Sequence, residues 1–206
     1  MSQDMIVKQL RVGGMANFTY VVWDENSKKA AVIDPSWELE KVIDIIKKNN
    51  LSVEYIINTH THFDHVLGNE QLKAIYREAK IVMHKNAKLS KDIEVDDNST
   101  IELGSVKIRV MHTPGHSKDS ICLHAENVLF TGDTLFVGTC GRVDLEGGSA
   151  EELYHSLKRL SMLDGETIVY PGHDYGSERY STIRSERENN PAMLPKSLEE
   201  FIEMMG

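Results

Sequence analysis

Three histidines and one aspartate fall within six positions of the sequence, in the segment Thr59–His65. On an extended loop, side chains two residues apart point the same way, so His60 and His62 can hold one ion. Asp64 and His65 follow on a turning backbone and can face a second position. Imidazole and carboxylate groups suit Zn, Fe or Mn. The absence of nearby cysteines argues against a closed structural zinc site. The segment therefore predicts a metal site rather than a polar loop that is merely rich in histidine.

A buried strand and a helix must position this segment. Residues 53–58 form a short apolar run that predicts a strand, and a helical pattern begins at Asn69, after Gly68. The histidines therefore lie on a strand-to-helix loop at the end of a rigid element. Such loops are where α/β proteins place binding and catalytic groups.

The rest of the chain alternates between strand and helix patterns, which indicates an α/β protein. The predicted strands are 5–12, 19–23, 30–33, 53–58, 80–84, 101–103, 106–111, 120–124, 128–130 and 167–170. The predicted helices are 38–49, 69–78, one from Ser149 with Glu152 in a capping box, an exposed one at 180–189, and a last short one capped by Ser197 and Glu200. The polar residues 86–100 are predicted to be an irregular surface excursion.

Three isolated residues extend the metal site: His116, Asp133 and His173. Each follows an apolar strand and lies beside a glycine, where the backbone can turn sharply. Strand ends on one side of a sheet converge, so we expect these side chains to join the Thr59–His65 segment. Together they supply enough ligands for two metal ions, with one carboxylate left to bridge them.

The order HxHxDH, followed by separate His, Asp and His motifs, resembles the metallo-β-lactamase superfamily from about residue 6 to about residue 190. The resemblance implies an αββα sandwich with the metals at one edge between the two sheets. It predicts a single domain over 1–206, with a short helical tail at about 178–206. The ligand sets that it implies are His60, His62 and His116 for one ion, Asp64, His65 and His173 for the other, and Asp133 between them.

Within that superfamily, the segment Phe130–Phe136 and the run Cys140–Arg142 resemble glyoxalase II, which hydrolyses a glutathione thioester. This resemblance implies two divalent ions, most simply zinc with Fe or Mn as alternatives, and a metal-bound hydroxide that Asp64 orients or deprotonates. Arg142 and Tyr175 match positions that contact the thiol carrier. That family has a longer C-terminal helical region, and its third motif reads GHEY where this chain has GHDY.

The C-terminal part resembles persulfide dioxygenases instead, through His173-Asp174-Tyr175, Ser181-Thr182-Ile183, Glu186-Arg187 and Asn190-Pro191. Those enzymes keep the full set of histidines but bind one Fe(II), through the positions of His60, His116 and Asp133, and oxidise a glutathione-type persulfide. The ligand types alone fit either reaction. We predict the hydrolase, with the dioxygenase as the alternative. A non-enzymatic metal-binding module is disfavoured, because structural sites usually close with four ligands.

Composition limits the remaining choices. The formal charge of −9 argues against a nucleic-acid partner, and no apolar run approaches the ~20 residues of a membrane span. Residues Met1 to Asp4 show no start of a secretory signal. Cys122 and Cys140 fit reduced thiols in the cytoplasm rather than a disulfide framework. The expected partner is a small thiol-derived substrate, and the sequence leaves the oligomeric state open.

Overall fold

Two six-stranded sheets share an apolar core in the computed structural model, which describes residues 5–206. Residues Met1 to Asp4, for which the sequence predicts no secretory signal, lie outside the described residues. The core between the sheets takes alternate side chains from both, among them Phe18, Ile57, Ile108 and Phe130. Alternation of this kind explains why the strands could be recognised from the sequence.

The first sheet contains the strand that leads into the Thr59–His65 segment. Its strands, in spatial order, are β1 (Met5–Val12), β2 (Asn17–Asp24), β3 (Lys29–Ile33), β4 (Ser52–Ile57), β5 (Lys80–His84) and β6 (Ile93–Val95). Strands β1 to β3 pair antiparallel, whereas β3 to β6 run parallel. Strand β4 therefore lies inside a parallel region, which accounts for its apolar sequence.

The second sheet positions the other three predicted ligands. Its strands, in spatial order, are β14 (Ser181–Thr182), β13 (Ile168–Pro171), β10 (Val128–Gly132), β9 (Ile121–Ala125), β8 (Val106–His112) and β7 (Thr100–Leu103). Strands β10 and β13 are parallel neighbours, so both end on the same side. A separate hairpin pairs β11 (Leu135–Phe136) with β12 (Thr139–Cys140).

Helices cover the outer face of each sheet. They are α1 (Leu39–Lys48), α2 (Phe63–Val66), α3 (Asn69–Ile75), α4 (Ala150–Ser161), α5 (Ile183–Asn189) and α6 (Leu198–Met205). Helices α1 and α3 bury their apolar faces on the first sheet, and α4, α5 and α6 bury theirs on the second. Ser149 and Ser197 cap α4 and α6 as predicted. The αββα sandwich implied by the resemblance is confirmed.

Three local predictions were wrong. Residues 86–100 are not wholly irregular, because β6 pairs with β5 and extends the first sheet. The helix predicted at 69–78 is α3, which ends at Ile75, and a further short helix, α2, forms within the predicted loop before it, with Gly68 packed against the backbone of Pro35 between the two helices. Helix α5 begins at Ile183 rather than residue 180, and it is anchored rather than exposed, since Ile183 and Glu186 are buried.

The two cysteines are free thiols, as predicted. Cys122 is fully buried in the second sheet, whereas Cys140 is only partly buried on β12. Burial raises the pKa of the Cys140 thiol to about 12, which makes it a weak nucleophile. Within residues 5–206, no helix combines the length and the apolar character that crossing a bilayer requires.

Asp24 joins the two sheets at the end opposite the histidines, and its replacement by asparagine should weaken the fold. Its carboxylate accepts hydrogen bonds from Ser27 in the first sheet's hairpin and from the backbone and side chain of Ser105 in the second sheet. In Asp24→Asn, an NH2 group replaces one of the carboxylate oxygens and faces the hydrogen-bond donors of Ser27 and Ser105, which then lose an acceptor. We therefore expect a loss of about 1.5–3 kcal/mol in the free energy of unfolding. Urea unfolding at pH 7 measures it.

The pH dependence of the same variant supplies the control. Burial opposes ionisation of Asp24, but its hydrogen bonds outweigh burial and lower the pKa to about 2. The carboxylate's contribution is therefore complete above the unfolded pKa of about 3.9 and disappears as the pH falls towards about 2. The stability difference between Asp24→Asn and wild type should shrink across that window. A difference that is constant down to pH 2 would contradict the assignment.

Candidate metal centre

The predicted ligands come from four strand ends that meet at one edge of the facing sheets. Segment Thr59–His65 follows β4, and His116 lies between β8 and β9. Asp133 follows β10 and His173 follows β13, and these parallel strands deliver both side chains to the same edge. The structure brings all seven predicted ligands together.

A glycine allows the two sheets to approach each other at this edge. Gly132 has a φ of +48°, and a Cβ added to it would lie 2.5 Å from Thr59 Oγ1. The backbone N–H of Ile121 also donates to the carbonyl of Thr59 at 2.8 Å. The segment after β4 is thus fixed directly to the second sheet, which places Asp133 beside the histidines.

Three imidazole nitrogens converge in the first ligand group. The Nδ1 atom of His62 lies 3.1 Å from Nε2 of His60 and 2.9 Å from Nε2 of His116. His60 and His116 are buried, and His62 is half-buried at the outer side. This is the trio predicted for one ion.

Asp64, His65 and His173 form the second group. The Nε2 atoms of His65 and His173 are 3.2 Å apart, and Oδ2 of Asp64 lies 3.4 Å and 3.3 Å from them. Asp133 lies between the groups, with an oxygen 3.4 Å from His65, 3.3 Å from His173 and 3.6 Å from His116. It therefore occupies the predicted bridging position.

The arrangement fits divalent cations. A tetrahedral ion with bonds of about 2.0–2.1 Å places its nitrogen ligands about 3.3 Å apart, close to the spacings above. The Oδ1 atom of Asp133 is buried and accepts no hydrogen bond from the described residues. A buried carboxylate oxygen without a partner is costly unless a cation satisfies it. These groups of His and Asp side chains could therefore hold metal.

The pKa shifts of the histidines differ between the two ligand groups. Burial, aided by the neighbouring His65, holds the pKa of His60 well below its usual value, so this ring is neutral. Burial also opposes protonation of His173, but hydrogen bonds to Asp133 and Asp64 outweigh it and raise the His173 pKa to about 10. In the metal-free protein, protons on the second group balance the carboxylates that a cation would otherwise neutralise.

A model of the metallo-beta-lactamase superfamily matches residues 12–173. The chain belongs to the metallo-β-lactamase superfamily. The resemblance stated from the sequence motifs is therefore confirmed, and the matched range contains every ligand described above.

Relatives of two kinds lie within this metallo-β-lactamase superfamily. The chain is 32% identical over 206 residues to human mitochondrial persulfide dioxygenase ETHE1, covering 98% of this chain and 81% of that protein. It is 42% identical over 164 residues to hydroxyacylglutathione hydrolase of Francisella tularensis subsp. novicida, covering 78% of this chain and 64% of that protein. The crystal structure of ETHE1 from Myxococcus xanthus superposes with a TM-score of 0.92 at 35% identity, covering 97% and 89%.

Two polar residues that sequence reasoning missed support the second group. Asp34 accepts hydrogen bonds from Thr59, and its Oδ2 lies 3.1 Å from Nδ1 of His65. The amide of Asn17 donates to Oδ2 of Asp64 at 2.8 Å. Asp34 follows an apolar strand, just as Asp133 does, and this was the available signal. The sequence gives no comparable signal for Asn17.

Backbone carbonyls fix two further rings. Nδ1 of His116 lies 2.8 Å from the carbonyl oxygen of Arg142, and Nδ1 of His173 lies 2.9 Å from that of Met15. Each contact directs the Nε2 atom of the ring into the site, which is the usual arrangement of a metal-binding histidine.

Replacing Asp34 with asparagine should weaken metal binding by about 10–100-fold, because the carboxylate orients His65 and increases its basicity. Asparagine tolerates the left-handed backbone of this position, whose φ is +50°. Competition with a chromophoric chelator measures the affinity. Asp44→Asn, at an exposed position on α1, is the matched control. Unchanged affinity in Asp34→Asn would show that Asp34 only supports the fold.

The two predicted substrate-binding residues differ in their surroundings. The Tyr175 ring stacks on His173 with 4.6 Å between centroids, and it is half-exposed at the mouth of the site. The Arg142 guanidinium makes two 2.6 Å contacts with the carboxylate of Asp144, and both side chains are exposed. Tyr175 therefore adjoins the metal centre, whereas the Arg142 side chain forms an ion pair with Asp144.

A cavity of about 590 Å³ opens next to His62. It is lined by Thr61, His62, Asn86, Lys88, Ser117, Lys118, Asp119, Glu146 and Gly147. The four remaining histidines lie outside the ligand groups: His84 and His112 stack on each other at 4.0 Å, His124 lies on β9, and His155 is exposed on α4. Of the seven predicted ligands, only His62 lines this cavity.

Proposed function

We propose that this chain is a metal-dependent hydrolase that cleaves a thioester of a small thiol, as its hydroxyacylglutathione hydrolase relatives are named to do. The observation that carries the proposal is the pair of ligand groups that meet at Asp133. The ligand atoms within each group have the spacing that one divalent ion requires. Two bound divalent ions, for which we propose zinc, would supply an acidified water and polarise the thioester carbonyl.

Asp64 is proposed to orient the water rather than to take its proton. Burial would raise the pKa of Asp64, but the hydrogen bond from His173, the charge of His65 and the hydrogen bond from Asn17 lower it to about 2. A carboxylate with such a low pKa is a weak general base near pH 7. The donated hydrogen bond from Asn17 holds it in one orientation, which suits an orienting role.

The same features support a small thiol-derived substrate. The Tyr175 ring and the 590 Å³ cavity both border the ligands, and the cavity suits a molecule of a few hundred daltons. Free thiols at Cys122 and Cys140 support a cytoplasmic location, although the animal relatives are named as mitochondrial. We propose no nucleic-acid or membrane partner.

One observation favours a second function, a persulfide dioxygenase with a single Fe(II) at His60, His116 and Asp133. The similarity to ETHE1 covers 98% of the chain, whereas the similarity to the hydrolase covers 78%. Part of this chain therefore aligns with ETHE1 but lies outside the alignment with the hydrolase.

Metal analysis of protein purified without added metal, with two assays, tests the choice. Hydrolysis of a glutathione thioester by protein with two zinc ions per chain supports the proposal. Oxygen uptake on glutathione persulfide by protein with one iron per chain, and no thioester cleavage, would overturn it in favour of the dioxygenase.

Replacing Arg142 with alanine should raise the KM for a carboxylate-bearing glutathione thioester by about fivefold, with a smaller effect on kcat. A paired, exposed guanidinium contributes only weakly to binding, and it acts before and during the reaction alike. Steady-state kinetics measure both constants. Asp144→Asn, which releases the guanidinium from its partner, should lower KM. A decrease confined to kcat in Arg142→Ala would contradict a binding role.

A further inference from the structure

The β11–β12 hairpin lies directly against the loop that carries His173 and Tyr175. The Phe136 ring packs edge-on against the His173 ring, with centroids 5.8 Å apart and an angle of 88°. It packs in the same way against Tyr175, at 5.2 Å and 77°. Because Tyr175 stacks on His173, the three rings form one block, in which Phe136 contacts both other rings.

The hairpin turn and the ligand loop also touch beyond these rings. A Cβ added to Gly176 would lie 2.6 Å from the Cβ of Val137 and 2.7 Å from its carbonyl oxygen. Such a separation is shorter than any real Cβ contact, so the hairpin leaves no space for a side chain at Gly176. The two segments are therefore in contact along their length.

Helix α5 holds the opposite side of the hairpin through two buried side chains. The amide of Asn190 donates to the carbonyls of Thr139 at 3.0 Å and Phe136 at 3.3 Å. The Oε2 atom of Glu186 accepts from the backbone N–H of Gly138 at 2.9 Å and from Asn190 at 2.8 Å. Asn190 is 0% exposed and Glu186 is 3% exposed. Buried hydrogen bonds of this kind are costly to break.

We propose that Glu186 and Asn190 are positioning residues that fix the β11–β12 hairpin and, through Phe136, orient His173 and Tyr175. The inference rests on the proposed function only where it treats His173 as a metal ligand. It assigns a role to the Glu186-Arg187 and Asn190-Pro191 motifs, which the metal centre leaves unexplained. A metal-binding ring needs rotational support from its surroundings, and loss of such support typically weakens metal binding by about 10–100-fold.

The reactivity of Cys140 tests the first half of the proposal in the metal-free protein. Cys140 lies on β12, partly buried, with its Sγ 3.8 Å from the sulfur of Met205. Asn190→Ala should release the hairpin and increase the rate of Cys140 modification by an aromatic disulfide reagent at least about tenfold. Asn189→Ala, on the exposed side of the same helix end, is the matched control and should react as wild type. An unchanged rate in Asn190→Ala would overturn the proposal.

Metal affinity tests the second half. By chelator competition, Asn190→Ala and Glu186→Ala should bind the His173-side ion about 10–100-fold more weakly, whereas Glu186→Gln keeps an acceptor oxygen and should bind as wild type. Ile183→Ala removes a fully buried side chain of α5 and lowers stability while leaving in place the hydrogen bonds of Glu186 and Asn190 to the hairpin. If Ile183→Ala weakens metal binding equally, the effect is one of stability alone and the proposal fails.

Gly176→Ala perturbs the same contact from the other side. Its new methyl group must displace Val137, so it should also increase Cys140 reactivity and weaken the His173-side ion. Gly14→Ala, where no atom lies within 4 Å, should do neither. The measurement of Cys140 reactivity needs neither metal nor substrate, so its outcome does not depend on the reaction that the enzyme catalyses. An unchanged rate would leave the proposed hydrolase function intact, and an increased rate is equally compatible with a dioxygenase.

Discussion

Replacing Asp133 with alanine should reduce turnover by more than about a thousandfold and lower the metal content of the purified protein. Its carboxylate lies within 3.3–3.6 Å of ligand nitrogens from both groups, so its loss removes a ligand from each ion. Without the ions, the reaction loses both the acidified water and the Lewis acid. His60→Ala and His116→Ala should behave similarly, because both positions are ligands in the hydrolase and the dioxygenase.

The measurement pairs metal analysis with turnover and with thermal unfolding. Asp133→Asn keeps the shape of the side chain and serves as a second variant, and it should remain folded with weakened metal binding. Asp164→Ala, on the surface loop after α4, is the control for loss of a carboxylate. Wild-type turnover with metal retained in any ligand variant would remove that residue from the centre.

The metal centre could be predicted from the sequence because each ligand has a local signal. His116, Asp133 and His173 each follow an apolar strand, and each strand is recognisable by its alternation or by its short apolar run. Strand ends at one edge of a sheet lie close together, and this does not depend on the conformation of the loops that join the strands. The identity of the ligands therefore needed no knowledge of distant contacts, whereas their division into two groups came from the resemblance to the metallo-β-lactamase superfamily.

The residues that were missed have roles that depend on distant segments. Asp34 reads as the end of a strand, and only the fold places His65 beside it. The sequence places Asn190 in a charged tail, but in the structure its side chain is fully buried against the β11–β12 hairpin. Strand β6 is three residues long and pairs only with β5, so its sequence carries little periodicity. Long-range packing decides each of these cases.

Replacing His65 with alanine should give opposite metal contents under the two proposed reactions. The Nε2 atom of His65 lies 3.2 Å from His173 and 3.4 Å from both Asp64 and Asp133, so it is a member of the second group. In the hydrolase, two equivalents of metal should decrease to about one, and hydrolysis should decrease by several orders of magnitude. The remaining ion would be held by His60, His62 and His116.

In the dioxygenase, His65 lies outside the ligands of the single iron, and its removal should leave one iron per chain with a loss of activity of about 10–100-fold. His155→Ala, an exposed histidine on α4, controls for nonspecific effects on purification. The variant also removes a partner of the buried Asp34 carboxylate, which still accepts two hydrogen bonds from Thr59 and so should not unfold the protein. One iron before and after the substitution, with oxygen consumed on a persulfide, would refute the hydrolase, because the two-metal centre requires a second ion that His65 helps to hold.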